Sequence, residues 1–357
     1  MMLNEKSGTW ASVLTHYESY PALEIRDLFK FLFQSAYGCE HLVGSEEHAI
    51  ARIREEAHTI TKKRSAAIEP LDGAYSRVPL SYLQNGLSAE TLGKLFCRSA
   101  KKEPNGKESL EKKLKILRVM IESGALPCSI NEFDAAFSAW QEEGYLALHH
   151  SERFRSLYRP AYRVIANEFL PLLPFLSKID RFSEKETVIV AIEGGSASGK
   201  TTLSSLLLSL YDCNVFHMDD FFLRPEQRTR ERLSEIGGNV DRERFLTEVL
   251  LPLRAGGEIC YRKFDCSTQS IRDTVTVPKK RLNIVEGAYS MHPALSSYYD
   301  LSVFLSVTPE RQRARILQRN SPTHAERFFS EWIPLERTYF EGTNAEKRCT
   351  LSISFGN

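Results

Sequence analysis

The stretch Gly194-Gly195-Ser196-Ala197-Ser198-Gly199-Lys200-Thr201 sets two glycines, a lysine and a hydroxyl in the order G-x-x-x-x-G-K-[ST]. Each residue type there answers a need of triphosphate binding. Small residues let successive backbone N–H groups turn inward around phosphate oxygens, and a helix opening behind them adds a favourable dipole. Lys200 would neutralise the outer phosphates and the Thr201 hydroxyl would ligate Mg²⁺. The expected contact set runs from Gly194 through Thr201, with Thr202 one step into the helix. A chance match in a glycine-bearing turn is the competing account, and the apolar runs on either side argue against it. The pattern implies a bound nucleoside triphosphate such as ATP; what is done with it must come from other residues.

Two acidic positions follow apolar runs. Val215-Phe216-His217-Met218 leads into Asp219-Asp220, and Leu282-Asn283-Ile284-Val285 leads into Glu286-Gly287. Ligands of open α/β sheets gather at the carboxyl ends of the strands. Phosphoryl transfer to an alcohol needs one carboxylate to take the hydroxyl proton and often a second to help hold the metal. For either acid alone, a helix cap is the plainer account. Arg311, Arg315 and Arg319 recur every four residues and share a helix face. A solvated stripe explains them, and so does a lid bringing positive charge to a moving phosphoryl group, with Arg315 and Arg319 ahead of Arg311. Arg228, Arg230 and Arg232 fit an acidic group on a substrate or plain surface charge. His292 is the histidine nearest the expected site, and a structural hydrogen bond suits it as well as a substrate contact.

The elements that must carry these groups read as an α/β unit. Strand-like runs cover Thr187 to Ile192, Asn214 to Met218, Leu282 to Val285, Leu301 to Val307 and Thr350 to Phe355. Helical spacing lies between several of them, as at Leu203, Leu206, Leu207 and Leu210. Apolar strands alternating with helices predict a five-stranded parallel sheet covered on both faces. Phe328, Phe329, Trp332 and Tyr339 are expected to pack a C-terminal helix onto it.

The first half reads as mostly helical. Leu110, Leu114, Leu117 and Ile121 lie on one face of a helix that ends near Gly124. Ser129-x-x-Glu132 opens another that stops at Gly144, and an apolar helix runs from Ala22 to Tyr37. Pro171 to Lys185 reads as a joint, so the expected domains are residues 1–175, helical and of open role, and residues 181–357. Cys39 and His41 are too near in sequence to make a good nucleophile and base. His149 and His150 are adjacent, so their side chains diverge. Lysines from Lys101 to Lys115 read as a solvated helix face.

From Gly194 onward the order of motifs resembles the uridine kinase and phosphoribulokinase family of P-loop kinases. The matching pieces are the loop, Met218-Asp219-Asp220-Phe221-Phe222, Gly238-Asn239-Val240-Asp241 with Phe245, Tyr261-x-x-Phe264-Asp265, Val285-Glu286-Gly287 and the late arginine helix. The resemblance implies Asp219 as general base, Asp241 on ribose hydroxyls, Tyr261 and Asp265 along a nucleoside pocket, and Glu286 near the metal. It leaves the role of Asp220 open. The chain departs from the family at Asp241-Arg242-Glu243, where Asp-His-Pro is usual, and at Cys266-Ser267-Thr268-Gln269, which lacks the expected histidine and arginine. The base, and the nucleoside itself, therefore stay open.

Composition bounds the partners. Lys and Arg number 47 against 46 acids, a net charge of +1 that lacks the basic excess of a nucleic-acid binder. No apolar run reaches the roughly 20 residues of a membrane span. The opening Met1-Met2-Leu3-Asn4-Glu5-Lys6 has no signal-peptide pattern, and 7 scattered cysteines fit a reducing compartment, so a cytoplasmic protein is expected. The expectation is an ATP- and Mg²⁺-dependent kinase for a hydroxyl of a nucleoside-like small molecule. A kinase for another hydroxyl metabolite, or a nucleotide-binding regulatory module, stands as the alternative.

Overall fold

A computed structural model describes residues 8–58, 60, 67–101, 103 and 105–354. Met1–Lys6, Lys102 and Phe355, which enter the expectations above, lie outside the described residues. The chain divides into two compact units, Met1–Asp180 and Arg181–Asn357.

Among the described residues of the first unit, eight helices accompany a small sheet. They are α1 (Gly8–Ser19), α2 (Ile25–Tyr37), α3 (Glu46–His58), α4 (Ala89–Ser99), α5 (Gly106–Glu122), α6 (Ile130–Glu142), α7 (Glu152–Tyr158) and α8 (Leu173–Asp180). The sheet holds β1 (Glu69–Pro70), β2 (Tyr75–Pro79) and β3 (Tyr162–Ala166), antiparallel and in that order. These strands escape a reading by periodicity because they are short, and β2 and β3 are buried on both faces. Helix α2 starts at Ile25 because Glu24 and Asp27 cap each other's backbone, and it is buried from Ile25 to Ala36 apart from Arg26. Its Phe29 stacks on Trp140 at 5.1 Å and meets Phe133 edge-on at 5.5 Å. Helices α5 and α6 end before Gly124 and Gly144, both at positive φ, as their sequence predicts. The stretch expected as a joint is a short 3-10 helix (Asn167–Leu172) followed by α8. Its Leu173, Phe175, Leu176 and Ile179 are fully buried, and Pro174 sits in the first turn, where a missing N–H is harmless.

A chain of polar side chains crosses this core. His16 pairs with Glu69, Glu69 with Arg77, Arg77 with Gln34, and Tyr162 bridges Gln34 to His150, whose Nδ1 meets Asp27 at 2.9 Å. Burial pushes the Asp27 carboxyl up, but bonds from His150, the Glu24 N–H and Ser151 outweigh it and carry the pKa down to about 2. Burial, reinforced by Arg77 and Lys30, holds the His150 ring down at about 4 despite Asp27. The thiol of Cys39 is fully buried, bonds to the Phe96 carbonyl and is pushed up by burial to about 12, so it is no nucleophile.

The second unit is built on five parallel strands: β4 (Val188–Gly194), β5 (Cys213–His217), β8 (Leu282–Glu286), β9 (Leu301–Ser306) and β10 (Leu351–Ser354). The order across the sheet is β10-β9-β4-β8-β5. Between β5 and β8 an antiparallel hairpin, β6 (Ile259–Asp265) and β7 (Ser270–Val277), packs Ile259 and Tyr261 onto Phe216, Phe221 and Val285. Every residue of β4 and β8 is buried, which explains their unbroken apolar runs. Register sets Glu286 of β8 beside Ile192 of β4 and beside His217 of β5. The three strands thus end together, and that edge carries the site. Of the four C-terminal aromatics expected in the core, only Tyr339 is fully buried. Phe328, Phe329 and Trp332 are not: Phe328 meets Trp332 edge-on, Arg327 lies over Trp332 and Arg313 over Phe329.

The depressed His150 has a testable consequence. The unfolded ring binds a proton near pH 6.5 that the folded ring refuses until about pH 4. Stability from this group is complete above pH 6.5 and drains away as the pH falls towards 4. Thermal melts of the full chain by circular dichroism should show a falling midpoint across that window, shallower in His150→Gln. Equal slopes in the two proteins would remove His150 as the titrating group.

Candidate functional site

Strand β4 runs out at Gly194, whose φ of 145° is open only to glycine. A Cβ there would lie 2.4 Å from the Leu305 carbonyl of neighbouring β9. Five residues on, Gly199 at φ 107° turns the chain into helix α9 (Lys200–Leu210). The N–H groups from Gly199 to Thr202 open that helix and have no acceptor within it. Lys200 folds back, its Nζ donating to the Gly194 and Gly195 carbonyls at 2.9 Å each. This is a cradle of inward amides around a lysine at a helix N-terminus, suited to a polyphosphate.

Beside the cradle stand the strand-end carboxylates. Glu286, almost fully buried, accepts from Thr201 Oγ1 at 3.5 Å and pairs with His217 Nδ1 at 2.6 Å. The bond to Glu286 raises the His217 pKa above its ordinary value, although burial opposes it. A hydroxyl and a carboxylate at this spacing form an oxygen donor pair that fits a hard cation such as Mg²⁺, which takes its other ligands from phosphate and water. Asp219 follows β5 in a 3-10 turn. Its carboxyl meets solvent yet is crowded by protein, and burial raises its pKa, with Glu286 and Asp220 adding to the rise and Lys200 and His217 opposing it. Lys200, Asp219 and Glu286 therefore share one electrostatic neighbourhood.

Other expected residues do different work. Asp220 accepts from the Tyr261 hydroxyl at 3.2 Å and pairs with Lys263 at 3.3 Å. Tyr261 itself is core, buried among Phe216 and Phe221. Asp241 is buried and caps the helix Arg242–Phe245, taking the Arg244 N–H on one oxygen and Gln227 on the other. A ribose hydroxyl would have to displace those partners. Asp265 closes the β6–β7 turn through the N–H and hydroxyl of Ser267, which hold its pKa at about 2. His292 is buried, takes the Ala294 N–H on Nδ1 and faces Arg242; burial and that arginine lower its pKa to about 4. Arg315 on the helix Pro309–Arg319 reaches the loop, donating to the Ala197 carbonyl at 2.9 Å. Arg319 is exposed, one turn further along that helix. Arg228 and Arg232 are spent on the Leu223, Gly238 and Val240 carbonyls.

Four residues at the loop escape the sequence reading. Glu193, fully buried behind the loop, accepts from the N–H groups of Gly194, Tyr289 and Met291 and from the Tyr339 hydroxyl. Burial pushes it up to about 7 against those donors and Lys200. Glu336 holds Ser196, Gln312 holds the Ser196 carbonyl, and His217 props Glu286. Glu193 and His217 left a trace in sequence, each as a polar residue closing an apolar strand; Glu336 and Gln312 left none.

Fold and site define a P-loop unit of the α/β class. Comparison with known proteins agrees: the second unit resembles uridine kinase-like P-loop kinases. Over 148 residues the chain is 28% identical to uridine kinase-like protein 5 of Arabidopsis thaliana, a match taking in 38% of this chain and 31% of that one. The chain thus spans about a third of that relative's length. Among solved structures, a possible uridine kinase from Bacillus stearothermophilus is 21% identical over 52% of this chain and 96% of its own, with a TM-score of 0.40. A putative fructose transport system kinase from Silicibacter sp. is 24% identical over 47% and 89%, with a TM-score of 0.39. No protein-family model matches the chain.

Gly194→Ala tests the cradle's root. The added methyl meets a fixed backbone carbonyl at a backbone angle alanine rarely takes, a strain of about 1–3 kcal/mol. Urea titration should show a lower midpoint with an unchanged slope; an unmoved midpoint would mean the turn relaxes freely.

Proposed function

We propose that the second unit is an ATP-dependent kinase that transfers the γ-phosphoryl group to a hydroxyl of a small molecule. The observation that supports it most is one edge where Lys200, Thr201, Glu286 and Asp219 lie together within electrostatic reach. Lys200 and the opening amides of α9 hold the outer phosphates. Thr201 and Glu286 would hold Mg²⁺, which when bound would supply positive charge against the phosphoryl oxygens. Asp219 takes the acceptor's proton; a carboxyl raised towards the working pH is a better base than an ordinary one. Arg315, anchored on the loop, stands to reach the transferring group if the helix that bears it closes, with Arg319 further out on the same helix.

The acceptor is a hydroxyl compound, nucleoside-like by resemblance. Asp241 and Asp265 are engaged in capping and turn formation, so a ribose has few free acceptors there. A panel of nucleosides, sugar phosphates and other alcohols, read by ADP release, decides between them. ATP binding without turnover on any acceptor would leave a nucleotide sensor instead.

Asp219→Asn should lower kcat by about 10²–10⁴-fold while the ATP Kd stays within a few-fold. Lys200→Ala should weaken both. Wild-type turnover in pure Asp219→Asn protein would strike Asp219 from the mechanism.

A further inference from the structure

The helix Ile333–Thr343 lies outside every motif named above, yet two of its residues grip the phosphate loop. Glu336 and Tyr339 are three positions apart and so share a face. Tyr339, fully buried, donates to Glu193 Oε2 at 3.0 Å, and Glu193 Oε1 takes the Gly194 N–H at 2.9 Å. The loop's root is tied to this helix through that pair. Its crest is tied directly: the Glu336 carboxylate accepts the Ser196 N–H at 2.9 Å and the Ser196 hydroxyl at 2.6 Å. From the helix Pro309–Arg319, Gln312 Nε2 donates to the Ser196 carbonyl at 2.8 Å. Ser196 is therefore held at its N–H, its hydroxyl and its carbonyl.

Burying a carboxylate here is costly. Glu336 is only 6% exposed, and burial raises its pKa, with the two Ser196 bonds and Lys200 pulling it back. Bound triphosphate would repel it further. The amides that face a phosphate are those opening α9, at the other end of the loop from Ser196. Glu336 thus leaves the phosphate-facing groups clear while fixing the chain that leads into them.

We infer that Glu336 is a positioning residue for nucleotide, a latch that holds the crest of the phosphate loop in its binding shape through both donors of Ser196. The inference rests on the kinase reading for its ligand, but it is read by binding alone. Holding the loop acts on bound ATP before and during transfer alike, so its loss falls on affinity and not on kcat.

The test is equilibrium titration of the full chain with ATP and with adenosine, no acceptor present. In Glu336→Ala the ATP Kd should rise about 10-fold, the loss expected for a charge-assisted bond. Adenosine affinity should hold. Glu336→Gln, whose amide oxygen can serve one Ser196 donor but not both with full charge, should fall between, and it keeps the test open if the alanine variant does not fold. Adding Ser196→Ala to Glu336→Ala should cost little more, because the two act as one contact. A merely structural Glu336 would lower the melting midpoint and leave the ratio of ATP to adenosine affinity unmoved, which overturns the latch. Tighter ATP binding in Glu336→Ala overturns it too, since the carboxylate would then be occupying the phosphate's place. A wild type that binds no ATP removes the kinase reading and the latch together; a wild type that binds ATP only as well as its Glu336→Ala variant does removes the latch alone.

Discussion

The charge of Lys200 governs the edge of the second unit. Its ammonium lowers the pKa of three carboxyls that burial pushes up: Glu193 behind the loop, Asp219 after β5, and Glu336 across from Ser196. Acids crowded into a low-dielectric edge repel one another and lean towards protonation. One cation, fixed by the Gly194 and Gly195 carbonyls, offsets part of that repulsion. The three carboxyls are then free to do different things. Glu193 braces the root of the loop, Glu336 fastens its crest, and Asp219 is left open to the mouth of the site.

That lysine can act on all three because the parallel sheet brings their chain segments to one end. β4 sits between β9 and β8, and β5 lies beyond β8, so the loop, Glu286 and Asp219 emerge from adjoining strands. Antiparallel pairing would send alternate strand ends to opposite edges and separate them. The hairpin β6–β7 closes one flank, with Tyr261 joining the core through its ring and Asp220 through its hydroxyl. Two helices late in the chain, Pro309–Arg319 and Ile333–Thr343, hold the loop from outside, through Arg315 and Gln312 from one and Glu336 from the other. The first unit spends its buried polar groups differently. Its chain from His16 to Asp27 satisfies most donors internally, leaving His16 Nε2 and Arg77 Nη2 among the buried atoms without a partner. Breaking such a network is expensive because each survivor is left desolvated.

Sequence determined the phosphate loop, since its chemistry depends on residues adjacent in the chain, and it determined the strand-end acids, since an apolar run that stops at a carboxylate in an α/β pattern has few places to go. Helix ends at Gly124 and Gly144 were legible for the same local reason. Tertiary structure alone decided the partners of those acids. Asp241 and Asp265 carry the same side chain as Asp219, but helix capping and a hairpin turn claim the first two, while packing leaves Asp219 beside Lys200 and Glu286. Glu193 adjoins the loop in the chain, but Glu336 lies 143 positions further on, and nothing local marks it as belonging to the loop. Short-range spacing encodes what a segment can become; only the packing of distant segments sets which charges meet, because electrostatic energy follows distance in space and not position along the chain.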